Sequence, residues 1–271
     1  MRLRNFSNLS ILLIIVVLAS CNYSFTNLEY ERGQDAEKSA DYKEAIVHYK
    51  RVLVKDPESE KALQAARQAA RITFFETKDY LQAIGFYNHL IKYSKVESER
   101  RESQKNIANI YFEKVFDYPK AILEYNKLLL LKFSNEDTVG FKFNMAQALF
   151  NLNRFTEAQE ETESAIKIAQ NRDKKFDLLM YLGNIFFNTK RIPLAIKTYE
   201  EISREFPEKA KQNNVAMNIA VCFEEIEAFD KAIAELENMR EGYRDPDFID
   251  LKIKRLKDRK ANLPGSKGLR K

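Results

Sequence analysis

Along most of the chain, apolar residues return every three or four positions, the spacing of a helix with one buried stripe. Six segments hold that spacing in a common register. They are DYKEAIVHYKRVL from Asp41, DYLQAIGFYNHLI from Asp79, DYPKAILEYNKLL from Asp117, RFTEAQEETESAI from Arg154, RIPLAIKTYEEIS from Arg191 and AFDKAIAELENMR from Ala228. Their fifth places are Ala45, Ala83, Ala121, Ala158, Ala195 and Ala232, spaced 38, 38, 37, 37 and 37 residues apart. A period held that tightly through six copies predicts a stack of like units. In most copies an aromatic or Ile, the alanine and a further aromatic or Leu share one helical stripe, and the small alanine lets a partner helix come close. Asp41 with Glu44 predicts an N-cap, and Pro119 and Pro193 fall in first turns, where a missing N–H costs nothing.

The partner helix lies upstream. Twelve residues before each alanine stand Gly33, Arg71, Asn109, Ala146, Gly183 and Ala220, inside helical segments such as DLLMYLGNIFFNTK and NVAMNIAVCFEEIEA. This helix–turn–helix unit resembles the tetratricopeptide repeat. The family's signature of small residue, aromatic, Ala, aromatic and closing Pro is carried by Gly183, Phe186, Ala195, Tyr199 and Pro207 in the fifth copy. Gly33, Ala45, Tyr49 and Pro57 carry it in the first, while Arg71 and Asn109 depart from it at the small residue. The resemblance covers about residues 26–244. It implies an all-α, right-handed superhelical solenoid of about six repeats, whose first helices line a concave groove for an extended peptide or a partner helix. The period exceeds the family's usual ~34 residues by about one helical turn, expected at the start of each following first helix. Asp245–Leu263 is expected to be a polar closing helix, which a solenoid needs.

One stretch breaks the periodicity. Ile11–Ala19 is uninterrupted apolar sequence, too short for a spanning helix of about 20 residues. With Arg2 and Arg4 before it and Leu18-Ala19-Ser20 after it, it reads as a secretory signal. Leu18-Ala19-Ser20-Cys21 resembles the lipobox of bacterial lipoprotein precursors. That resemblance implies cleavage before Cys21, a diacylglycerol on its thiol and an acylated, typically palmitoylated, new amino terminus. Several acyl chains would hold the protein on a bilayer without a spanning helix. Asn22, where an Asp would imply inner-membrane retention, implies the outer membrane, facing the periplasm. The expected organisation is a signal at 1–20, a lipidated tether at 21–28, six repeats at 29–244, a closing helix at 245–263 and a disordered basic tail at 264–271.

Composition narrows the function. Seven Gly, six Pro, no Trp and 31% charged residues suit a chain made almost wholly of helix. The formal charge of +5 falls to +3 without the signal. From Leu251 onward, nine Lys or Arg face one acid, Asp258, so a body of charge −5 carries a tail of +8. A basic tail on an acidic body is not the footprint of a nucleic-acid-binding domain. Cys222, the other mature cysteine, is expected to pack as a small apolar residue.

An enzyme is not indicated. His48 and His89 lie in second helices at different phases and read as surface or groove-edge residues. No phosphate-binding glycine motif or Cys/His cluster occurs, so no cofactor, metal or small-molecule substrate is expected. Function is expected on the groove rows of the later copies. These are Phe143, Asn144, Gln147 and Phe150 in the fourth, Met180, Tyr181, Asn184, Phe187 and Asn188 in the fifth, and Met217 and Asn218 in the sixth. Amides can pair with a peptide backbone, and the rings and methionines can take its side chains, though half of the rings could equally be inter-repeat core. The rows lack the Lys and Arg that carboxylate-clamping members of the family use there. The chain resembles pilotin-type lipoproteins that assist secretin assembly, and the accessory lipoprotein of the β-barrel assembly machine. Both imply a membrane-anchored periplasmic scaffold binding protein partners in envelope assembly. The alternative is an adaptor that sets its basic C-terminal region on an anionic membrane or wall polymer.

Overall fold

The structure, a computed structural model, describes residues 25–262. The signal, Cys21 and the tail at 264–271 lie outside them. Among the described residues there are fourteen α-helices and no strand, arranged as repeated antiparallel pairs. Copy one is α1 (25–38) with α2 (Tyr42–Lys55), copy two α3 (Glu60–Arg71) with α4 (Tyr80–Tyr93), and copy three α5 (Glu97–Ile110) with α6 (Tyr118–Leu129). Copy four is α7 (Asn135–Asn151) with α8 (Phe155–Ile168), and copy five α9 (Arg172–Asn188) with α10 (Ile192–Glu205). Copy six divides its first helix into α11 (Pro207–Gln212) and α12 (Val215–Glu225) before α13 (Phe229–Met239), and α14 (Pro246–Ala261) closes the chain. The copies gather into two compact units that divide between Lys132 and Phe133, three copies in each.

The six second-helix alanines are all fully buried. Each second helix opens on the expected aromatic or Ile. Asp41, Asp79 and Asp117 cap the first three by accepting the N–H of Glu44, Gln82 and Lys120 at 3.2, 3.0 and 3.1 Å. Arg154, Arg191 and Ala228 offer no such bond, so among the repeats' second helices only those of the first unit are capped this way.

The residue before each of these six cap positions is left-handed. Ala40, Lys78, Phe116, Asn153, Lys190 and Glu227 have φ between 55° and 59°. Each turns the chain from first to second helix, and at five of the six the next N–H reaches back, as Arg191 does to the Phe186 carbonyl at 2.9 Å. None is glycine, although this conformation costs an L-residue about 1 kcal/mol or more. Phe116 is also exposed, so its ring returns little. Phe116→Gly is therefore expected to stabilise the first unit by roughly 0.5–1 kcal/mol after the entropy gained by the unfolded chain, read as a rise in the urea midpoint. Asn153→Gly should change less, because Asn tolerates the left-handed region.

The change of period from 38 to 37 has a local cause. The two 38-residue intervals contain α3 and α5, and each of these runs on into a five-residue π-helical turn, Ile72–Glu76 and Tyr111–Val115. A π turn holds one more residue than an α turn. The 37-residue intervals contain none among the described residues. The additional turn sits where expected. Glu60, Asn135 and Arg172 open their helices eleven residues ahead of Arg71, Ala146 and Gly183. Copy six departs from this, because its additional turn is the separate α11. Asn213 and Asn214 are weak helix formers, and Asn214 takes φ 53°, which ends one helix and starts the next.

The tether is shorter than expected. Residues 25–28 already belong to α1, and Thr26 is buried with the following turn. The closing helix is as expected. Asp245 accepts the Phe248 N–H at 3.2 Å, and Ile249, Ile253 and Leu256 pack against Ala220, Phe229, Ala232 and Leu236 of copy six.

Candidate functional site

The expected groove residues lie on α7, α9 and α12, all in the second unit. Their spacing places each set on one helical stripe. The structure draws the rings of the fourth and fifth copies together. Tyr181 meets Phe143 edge-on at 5.3 Å between centroids and lies 5.8 Å from Phe150, which in turn contacts Phe155 of α8 at 5.0 Å. Burial pushes the Tyr181 phenol above its usual range. Met180 and Phe187 lean on the core of copy five, and Met217 on that of copy six. The apolar half of the row is therefore mainly packing between helices, with its outer edges showing.

The amides divide differently. Asn184 and Asn188 are exposed, while Asn144, Gln147 and Asn218 are half-buried. Asn184 Oδ1 accepts the Tyr199 hydroxyl at 2.6 Å, and Asn188 Nδ2 donates to the Asn184 carbonyl on its own helix at 2.9 Å. Of the two exposed amides, Asn188 is thus the less committed to packing between helices.

Cations border the row more closely than its sequence indicated. Lys174 holds its ammonium 4.6 Å from the Phe143 ring centre. It stands two turns before Tyr181 on the same stripe, inside the additional first turn, and a row read at the family's usual length stops short of it. Lys190 lies 5.9 Å from the Phe187 ring and 2.6 Å from Glu225. Lys142 pairs with Glu161 at 2.9 Å.

The histidines are not surface residues. His48 is buried, with Nδ1 2.9 Å from Glu29 Oε2 and Nε2 3.2 Å from Glu44 Oε1. His89 is half-buried in copy two, and burial lowers its pKa. Both sit among the packing residues of the first unit, a placement that the amphipathic pattern of each helix does not show without its long-range partners. Cys222 packs in the core of copy five, and burial pushes its thiol up to about 11.

The basic closing helix is largely spent on the repeat beneath it. Lys252 and Arg259 both pair with Glu224, Lys257 with Glu237, and Lys260 with Asp230. Those acids belong to copy six, so much of the tail's charge is met within the second unit. Among the described residues no helix is long and apolar enough to cross a membrane.

The tetratricopeptide repeat family matches residues 143–210, which run from the α7 row to the start of copy six. Two solved structures share the architecture. One is YrrB, described as a TPR protein with an unusual peptide-binding site, at 15% identity and TM-score 0.53, covering 76% of this chain and 97% of that one. The fold is a tetratricopeptide-repeat solenoid. The other is the Naa15/Naa10 complex bound to HypK-THB, at 16% identity and TM-score 0.62, covering 82% of this chain. The chain spans only 32% of the length of that second protein. No curated protein matches the sequence.

Proposed function

We propose that this chain is a lipid-anchored scaffold of the bacterial cell envelope, held at the outer membrane by acyl groups on Cys21. It binds an extended peptide or helix of a protein partner along the first helices of copies four to six. The observation that carries the reading is the row on α7 and α9, where the exposed amides Asn184 and Asn188 alternate with the half-buried rings Phe143, Tyr181 and Phe187. Such a surface pairs with backbone polar groups through the amides and takes apolar side chains against the rings. YrrB, which has the same fold, is described as binding peptide, and this supports the reading. The envelope setting rests on the signal and lipobox, and assembly of a secretin or of outer-membrane proteins is the process proposed. The alternative use of the C-terminal cations is disfavoured, because four of them are paired with acids of copy six.

Photocrosslinking in the native envelope tests this. A benzophenone amino acid at Asn188 is expected to capture one protein partner, whereas the same group at Lys197, exposed on α10, captures none. Capture from Lys254 on the closing helix with none from Asn188 would overturn the groove reading. The anchor is tested separately. Mass spectrometry should find Cys21 as an acylated amino terminus, and Cys21→Ser should leave an uncleaved or soluble form.

A further inference from the structure

The first copy carries an apolar face that its own packing leaves uncovered. On α2, Val47, Lys50, Arg51 and Val54 stand at i, i+3, i+4 and i+7, one stripe of the helix. Val54 is 84% exposed, and Val47, Phe25 and Leu28 are each exposed by 40% or more. Phe25, Val47, Lys50, Arg51, Val54 and Lys55 together line an open depression, with the Lys55 ammonium 5.9 Å from the Phe25 ring centre. None of the six is acidic. The places of Val47 and Val54 are charged in the fourth and fifth copies, as Glu160 and Lys167, and as Lys197 and Arg204. The third copy has Leu123 and Leu130 there, but two repeats further along the chain.

Position supplies the occupant. Phe25 follows Cys21 by four residues, and an extended chain covers at most about 3.6 Å per residue, so covalent geometry keeps a lipid on Cys21 within about 14 Å of Phe25. We propose that this face docks on the anionic phospholipid bilayer that receives the Cys21 acyl chains, seating copy one on the membrane surface. The inference rests on the lipid anchor proposed above. Phe25, Leu28, Val47 and Val54 enter the boundary between headgroups and acyl chains, while Lys50 and Lys55 extend to the phosphates and Arg51, held by Glu29 at 3.1 Å, borders them. The anchor makes the encounter of these side chains with the bilayer intramolecular. Acyl chains alone leave orientation free, and the face fixes it.

The test uses the full lipidated protein carrying Val54→Cys. A thiol-reactive fluorophore goes to that site because Cys21 is acylated and Cys222 is buried. In vesicles of phosphatidylethanolamine and phosphatidylglycerol with brominated acyl chains, the label at residue 54 is expected to lose roughly half of its emission, the mark of a group at the interface. A label at Lys197→Cys keeps its emission. Adding Phe25→Asp and Val47→Asp restores the signal at residue 54, and leaving out phosphatidylglycerol weakens the quenching. Mass spectrometry of the same sample separates the two readings. An acylated Cys21 with an unquenched label at residue 54 sinks the docking and leaves the anchor, whereas an unmodified Cys21 sinks both. Equal shielding of residue 54 from aqueous iodide in the unlipidated Cys21→Ala protein without vesicles would show that the chain or a second copy covers the face, and also overturns the docking.

Discussion

Gly183→Ala is expected to destabilise the second unit by about 2–3 kcal/mol, the reverse of what glycine-to-alanine does in an ordinary helix. A Cβ at Gly183 on α9 would lie 2.5 Å from Tyr199 Cε1 and 2.8 Å from Cζ on α10. The ring is not the loose end of a flexible side chain. It is buried, and its hydroxyl is tied to Asn184 at 2.6 Å, so the two helices must part or that bond must break. Alanine's better helix propensity returns only about 1 kcal/mol against this. Gly33→Ala should behave alike in the first unit, since its Cβ would meet the Tyr49 ring at 2.6 Å. Gly85 on α4 and Gly140 on α7 give the opposite sign. A Cβ at either meets nothing within 4 Å, so Gly85→Ala and Gly140→Ala should stabilise by about 0.5–1 kcal/mol. Urea denaturation of the four variants checks the signs. If Gly183→Ala stabilises too, the close α9–α10 crossing is not real. Tyr199→Leu in the Gly183→Ala background should recover part of the loss, because the two sites are in contact and their effects cannot add.

The helix pairs were legible in the sequence because the constraint on them is local and recurs. Alanine at the crossing and an aromatic at the helix start repeat in every copy or nearly so. Departures from the pattern were visible, but the ways they are met were not. At Asn109 the helices still approach, and the side chain serves as acceptor for the Tyr125 hydroxyl at 2.9 Å. At Arg71 the guanidinium turns to Glu37 of copy one, and the closeness comes instead from Ala62, Ala65, Ala66, Ala69 and Ala70 along α3. Likewise a one-residue change of period can be counted in the sequence, yet nothing in ITFFE or YFEKV marks a π turn. The groove row was legible as a stripe. Its split between packing and exposure was not, because Phe143 and Phe150 of α7 meet Tyr181 of α9 across two helices. Charged residues were hardest to read. Glu29, His48 and Arg51 resemble a solvated helical face until the fold brings residues 19 and 22 apart in the chain within hydrogen-bond distance.

That last cluster carries the other large effect. Glu29 on α1 is 3% exposed, yet it holds a charge. Its Oε2 accepts from His48 Nδ1 at 2.9 Å and Arg51 at 3.1 Å, and its Oε1 accepts from Arg32 at 2.9 Å. Burial works against the carboxylate, but the bonds to His48, Arg51 and Arg32 outweigh it and hold the group below its usual range. Glu29→Gln keeps the shape and removes the charge, so that one neutral amide oxygen must serve the His48 N–H and two guanidinium groups, while the amide NH2 faces one of these donors. Breaking a fully buried ion pair from one side costs about 3–5 kcal/mol. The Arg32 and Arg51 side chains are 53% and 50% exposed and can turn into water, so the expected loss is about 2–3 kcal/mol at neutral pH. Arg32→Ala alone should cost under about 1 kcal/mol for the same reason. The pH dependence identifies the cause. A carboxyl whose folded pKa is depressed contributes its stability above the unfolded value near 4.5 and loses it as pH falls through the folded pKa. The wild-type protein should therefore lose its advantage over Glu29→Gln as the solution is acidified below about pH 4.5, and the two unfolding curves should converge. A gap of constant size across that range would mean that Glu29 acts through its shape alone and that its charge contributes nothing to holding α1 on α2.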